Sequence, residues 1–167
     1  IGAEASSAAA GILAAQEDLV QPGPLFELCQ AARGLYPAWV KRVERVSGVD
    51  VEWAVDGILY LAVTAAQAGA MECQARWQRR QGLPVERWSV SEVRRREPAI
   101  DGRLHAGFFF PREAQLDNAR LMHALAIACR RAGVVVRERT AVRRLLVSRR
   151  AVRGVVTDHG TIAAPVV

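Results

Sequence analysis

No stretch of this chain approaches the about 18–20 uninterrupted apolar residues of a membrane-spanning helix, so the expectation is a globular chain. No basic segment leading into an apolar run and a cleavage site opens it, so the expectation is a cytoplasmic protein. Cys29, Cys73 and Cys129 are odd in number, far apart and free of any C-x-x-C spacing, which argues against a disulfide framework or a zinc site. His105, His123 and His159 are equally scattered; without a second ligand at metal spacing they read as ordinary surface or core histidines. None of the thirteen glycines has another two positions away, so the phosphate-cradling pattern G-x-G-x-x-G is missing as well. Ser6 and Ser7 have no histidine near them in sequence, which disfavours a nucleophile role. Among carboxylates, only Glu17-Asp18 and Glu97 fall near a loop of interest, and Glu97 reads as a partner for arginine or a helix end.

What remains is a globular composition, 51% hydrophobic and 24% charged, long enough for one core or two partial lobes. The net charge of +6 raises nucleic acid as a partner. However, the arginines come as separate pairs and triplets (Arg79-Arg80, Arg94-Arg95-Arg96, Arg130-Arg131, Arg143-Arg144, Arg149-Arg150) spread over different expected elements. Solvated helix faces and turns account for them, and the expectation is no nucleic-acid and no membrane partner.

Near the first residue, Ser6-Ser7-Ala8-Ala9-Ala10-Gly11-Ile12-Leu13 brings very small side chains into an apolar segment. Little Cβ bulk and a permissive glycine let a flat ligand approach the backbone, and the serines suit a helix start. A helix from Ser6 or Ser7 is expected to run toward the Gln21-Pro22-Gly23-Pro24 break. From Leu25 to Val46, apolar residues recur every three or four positions and predict a helix closed by Gly48, kinked or split near Arg33 by Pro37. Val51–Val55 and Ile58–Val63 flank Asp56-Gly57 and predict a hairpin. A polar helix over Ala65–Gln81 follows, packed through Met71, Ala75 and Trp77. Ser89 or Ser91 caps a short helix that stops before Pro98, and Leu104–Phe110 predicts a strand. Asp117 caps the next helix, with Leu116 and Leu121 stapled across it and Gly133 ending it. Val134–Val136 reads as a buried strand, the β half of a doubly wound unit. Ala141–Val147, Ala151–Thr157 and Gly160–Ala163 read as short strands joined by tight turns.

In order, SSAAAGILAAQ, SGVDVEW, DGILYLAV, REPAI, HAGFFFPREAQLDNARL, AGVVVRERTAVRRL and GVVTDHGTIAAPVV resemble one family. The chain is similar to flavin-dependent amine oxidases of the D-amino-acid oxidase and glycine oxidase type, above all the glycine oxidases of thiamine biosynthesis. The resemblance implies a mixed α/β (α+β) fold: residues 1–48 and 114–167 as part of a Rossmann-like FAD-binding lobe, and 49–113 as part of a mixed-sheet substrate lobe. It implies FAD as cofactor, a small amine or amino acid as substrate, oxygen as the acceptor, and leaves homo-oligomer formation open. On matching positions, Ala5, Ser6, Ala10, Gly11 and Ile12 line the flavin, Val142 meets its adenine end, and Ala14, Ala15, Gln16 and Glu17 lie at the substrate entrance. Where the family often carries Thr or Ser, Ala5 lacks the side-chain hydrogen bond. The resemblance also places the pyrophosphate-binding turn upstream of Ile1 and the substrate-carboxylate clamp downstream of Val167. The expectation is therefore an interior fragment that by itself binds FAD weakly or not at all and turns over no amine. Other members of the superfamily (sarcosine oxidase, D-amino-acid oxidase, glycerol-3-phosphate or 2-hydroxyglutarate dehydrogenase) and a non-catalytic basic binding module are the alternatives.

Overall fold

A computed structural model describes residue 2 and residues 5–164. The elements in order are α1 (Ala5–Ala8), β1 (Ile12–Leu13), α2 (Pro24–Ser47), β2 (Ile58–Ala62), α3 (Ala65–Arg80), β3 (Glu86–Trp88), α4 (Val90–Arg96), β4 (Ala106–Phe110), β5 (Ala114–Gln115), α5 (Asn118–Arg131), β6 (Val142–Ser148), β7 (Ala151–Thr157) and β8 (Gly160–Ala163). The architecture is a mixture of helices and antiparallel sheets. The chain divides into two compact units, one over Gly2–Ala128 and a second beginning at Cys129.

The first unit contains two cores. In one, β4 is the central strand of the order β2-β4-β3, antiparallel to both neighbours. Alternation along β4 sends Ala106, Phe108 and Phe110 to one face, where they meet Ala62, Val85 and the α3 residues Met71 and Ala75. Gly107 points to the other face, where an added Cβ would lie 2.6 Å from Val93 Cγ2 and 3.1 Å from Leu59 Cδ1. Thr64 closes a capping box on α3: its hydroxyl accepts from Gln67 N, and Gln67 reaches back to the Thr64 amide. The other core joins α2 (Val40, Val43) to Val51, Leu116 and the α5 residues Leu121 and Ala124. Asp117 caps α5 by accepting from Arg120 N at 2.9 Å, with Leu116 and Leu121 buried on either side of it. A short ladder links β1 to β5, and an isolated bridge joins Ala54 to Gln115.

The second unit is a three-stranded antiparallel sheet in the order β6-β7-β8. Its strands follow the expected turns closely. Within it, Arg143 pairs with Asp158 and the Thr157 hydroxyl donates to Gly160 O at 2.8 Å.

Several expectations are corrected. The first helix is a single turn, because Ile12 and Leu13 pair with Gln115 and Ala114 as a strand. The helix around Pro37 is not split: α2 is continuous from Pro24 to Ser47, its C-terminus closed by left-handed Gly48, whose N–H donates to Glu44 O. Asp56-Gly57 does not turn a hairpin. Ile58–Ala62 finds its partner in β4, while the segment before it contributes only Ala54, bridged to Gln115. Val134–Val136 forms no strand, and all three side chains are exposed. A run of valines needs a ladder to satisfy its backbone, and none of the described strands pairs with it.

Candidate functional site

Gly11 is left-handed, with φ of 74°, and the reason lies in the chain itself: a Cβ there would sit 2.0 Å from the carbonyl oxygen of Leu116. Leu116 N also donates to Gly11 O at 3.1 Å. The glycine thus lets the start of β1 press against the end of β5. One residue on, the pairing alternates. Gln115 uses both its N–H and its C=O on Ala54, so Ile12 opposite it makes a pair without hydrogen bonds, and its own N–H and C=O face the outer edge of β1. The Ile12 side chain is 58% exposed. Ala5, Ser6 and Ala10 are exposed as well, and Asn118 Nδ2 donates to Ser6 O. Small side chains beside a strand edge with outward backbone groups suit a flat heteroaromatic ring that carries carbonyl and N–H groups on its rim, and the flavin ring is of that kind. Val142 lies at the start of β6 in the second unit, opposite Thr157 and exposed.

Beyond β1 the chain has no ladder to rest on, and the segment 14–20 is held by side chains instead. Ala15 N donates to the Glu113 carboxylate at 2.6 Å, and Gln30 Nε2 donates to Ala15 O at 2.6 Å. Gln74 Nε2 donates to Gln16 O at 3.1 Å and to Glu17 O at 2.6 Å. Gln78 Nε2 donates to Gln16 O at 2.8 Å and to Leu19 O at 3.2 Å, and Trp77 Nε1 donates to Val20 O at 2.8 Å. Gln16 is fully buried: its side chain donates to Gln78 Oε1 and accepts from Arg33 Nη1 at 2.7 Å. Of the four entrance residues, then, Ala15 and Gln16 are buried, and Ala14 and Glu17 are half-buried.

Glu113 sits at the tight connection between β4 and β5 and is completely shielded from solvent. Its carboxylate faces Arg33 Nη1 at 3.4 Å, and its backbone oxygen accepts from Gly57 N at 3.1 Å. Burial raises its pKa, against the opposing pull of the Ala15 N–H and the Arg33 guanidinium. Burial lowers the pKa of Arg33, although Glu113 favours its charge. Glu17 is pushed up to about 7, first by burial, then by its hydrogen bond and charge contact with Asp18, then by Glu113. On the near side of this cluster, Ile12, Leu13, Ala14, Arg33, Tyr36 and Trp53 line a cavity of about 200 Å³. Tyr36 and Trp53 stack across it at 5.7 Å between ring centroids. Sequence reading missed Glu113, Arg33, Gln30, Gln74 and Gln78. The visible signals were a lone carboxylate between the apolar FFFP run and Ala114, and two glutamines one turn apart on the face of α3 that carries Met71 and Ala75.

Elsewhere several basic residues have local partners. Glu92 holds Arg95 and Arg96, Arg96 also lies over the Trp88 ring, and Arg120 pairs with Glu52. Among the described residues there is no helix long and apolar enough to cross a membrane and no group of three metal-ligating side chains. Cys29, Cys73 and Cys129 are free thiols.

The FAD dependent oxidoreductase family model, DAO, matches residues 1–167. The chain is 31% identical over 160 residues to the bifunctional protein ThiO/ThiG of Synechocystis sp., covering 96% of this chain and 23% of that protein. It is 32% identical over 143 residues to the glycine oxidase of Geobacillus kaustophilus, covering 85% of this chain and 38% of that protein. The crystal structure of the Geobacillus kaustophilus glycine oxidase superposes with a TM-score of 0.91 at 30% identity, over 99% of this chain and 44% of that one. That of the Bacillus cereus enzyme superposes with a TM-score of 0.87 at 26% identity, again over 99% and 44%. The chain thus spans less than half the length of these relatives. Matched from Ile1 to Val167, it belongs to the DAO family of FAD dependent oxidoreductases.

Proposed function

We propose that these 167 residues form part of an FAD-dependent oxidase that converts the amine of glycine or another small amino acid to an imine. The observation that carries the reading is the agreement of sequence and backbone with glycine oxidases, 30% identity and a TM-score of 0.91 over 99% of the chain. Bound flavin supplies a hydride acceptor that oxygen then reoxidises. The chain's own part is to position. Ala5, Ser6, Ala10 and Gly11 keep bulk away from the ring, and Ile12 offers outward backbone groups to its polar rim. Val142 contributes at the adenine end. The segment Ala14, Ala15, Gln16 and Glu17 borders the approach of the substrate, with its main chain held from behind. Residues 1–48 and 114–167 belong to the flavin lobe in this reading and 49–113 to the substrate lobe. Of the two cores of the first unit, one has all its buried members within residues 62–110, in keeping with a separate substrate lobe, while the other joins α2 to Leu116 and α5 and also takes in Val51 from the 49–113 span.

The test is anaerobic reduction of flavin bound to the protein that carries this chain. Glycine, sarcosine or D-alanine should bleach the flavin, with hydrolysis of the imine releasing ammonia from the two primary amines, and readmitted air should restore the flavin with formation of hydrogen peroxide. Bleaching by 2-hydroxyglutarate or glycerol 3-phosphate, with none of the amines active, would overturn the reading.

A further inference from the structure

The segment bordering the proposed substrate approach makes one backbone bond of its own, Leu19 N to Gln16 O at 3.2 Å, and is tied to the elements around it by side chains that grip its main chain. At its head, Ala15 is gripped at both polar atoms: Glu113 takes its N–H at 2.6 Å and Gln30 holds its C=O at 2.6 Å. Arg33 joins the two grips. Its Nη1 faces the Glu113 carboxylate at 3.4 Å and donates to Gln16 Oε1 at 2.7 Å, while Nη2 donates to Gln30 Oε1. Glu113 arrives from the β4–β5 connection and Gln30 and Arg33 from α2, so two otherwise separate elements meet on one residue of the loop.

A packing role alone does not call for this chemistry. A buried carboxylate and guanidinium are costly to desolvate, and an apolar pair of similar volume commonly gives equal or better stability. Their strength is directional: charge-assisted bonds fix the orientation of what they hold more tightly than apolar contact does. The Ala14 and Ala15 side chains line the cavity shared with Ile12, and a tilt of the Ala14–Ala15 peptide would move both.

We propose that Glu113 and Arg33 are positioning residues for the amine oxidation, setting the Ala14–Glu17 main chain at the height the substrate needs. This rests on the flavin amine oxidase reading. A substrate misplaced by a fraction of an ångström reacts more slowly even when bound, and a loosened entry segment binds it more weakly.

The experiment uses the flavin-loaded protein and compares Glu113→Gln, Glu113→Ala, Gln30→Leu and the distant control Glu92→Gln. Four readouts are taken: flavin content, thermal midpoint, the concentration dependence of flavin reduction by the amine, and hydrogen exchange at the Ala14–Glu17 amides. Glu113→Gln keeps a carbonyl acceptor for Ala15 N–H but loses the charge. It should retain flavin, exchange faster at Ala15, and raise the half-saturating amine concentration about tenfold, with a smaller loss of limiting rate. Gln30→Leu, on the outer side of the same residue, should shift both in the same direction by less, which keeps the test open if Glu113→Ala fails to fold. Glu92→Gln should match the parent protein. Loss of thermal midpoint in Glu113→Gln and Gln30→Leu with unchanged half-saturation and limiting rate would make the cluster merely structural and overturn the inference. A parent protein whose flavin no amine reduces would instead defeat the functional reading, and the inference with it.

Discussion

Replacing Gly11 by alanine should destabilise the protein severely, and the structure separates the causes. The backbone there has φ of 74°, a left-handed conformation that costs an alanine about 1–2 kcal/mol. The new Cβ would also lie 2.0 Å from Leu116 O, so β1 and β5 must move apart or Leu116 must turn. Such overpacking typically costs about 1–3 kcal/mol, and loss of the Leu116 N–H bond to Gly11 O adds about 1. The expected total is about 3–6 kcal/mol. Gly48 provides the control, since it has nearly the same φ of 75° but nothing within 4 Å of an added Cβ. Gly48→Ala should therefore cost only the conformational share, about 1–2 kcal/mol. Urea unfolding of the parent and both variants, followed by tryptophan fluorescence, measures the difference. If Gly11→Ala lost no more than Gly48→Ala, the contact with Leu116 would not be what requires glycine, and the account of β1 given above would be wrong.

Phe108→Ala, which removes one of the two fully buried phenylalanine rings of the sheet core from the face packed on α3, should cost about 3–5 kcal/mol, read as the urea midpoint; a loss under about 1 kcal/mol would contradict the packing of that face. For Glu17, the folded protein holds its proton up to about pH 7 whereas the free side chain releases it near 4.5. Its contribution to stability is therefore fully present below pH 4.5 and is lost as the pH rises through about 7. Glu17→Gln should flatten that part of the pH–stability curve, and identical slopes in parent and variant would show that Glu17 is not the group responsible.

Local signals were read correctly where a local cause decides the outcome. Ser89 before α4 and Asp117 before α5 each cap the helix that follows, and the turns at Arg149-Arg150 and Asp158-His159 join strands adjacent in sequence. The failures fall where a distant partner decides. Asp56-Gly57 is a strong hairpin signal, but Ile58–Ala62 pairs with Ala106–Phe110, and no feature of the turn encodes that competition. Val134–Val136 carries strand propensity without a neighbour among the described strands. The candidate site was legible as a stretch of small residues, and the resemblance supplied the chemistry. Its supports were not legible, because an internal glutamine or glutamate reads as a surface residue until the loop whose carbonyls and amides it meets is in place.

A grip on amides and carbonyls is blind to side-chain identity. Because Glu113, Gln30, Gln74 and Gln78 all hold the 14–20 segment by its main chain, exchanges at Ala14, Glu17 or Asp18 leave those anchoring bonds in place. Such a segment is a natural place to retune selectivity: its outward positions can be rewritten one by one while the frame that carries them keeps its shape.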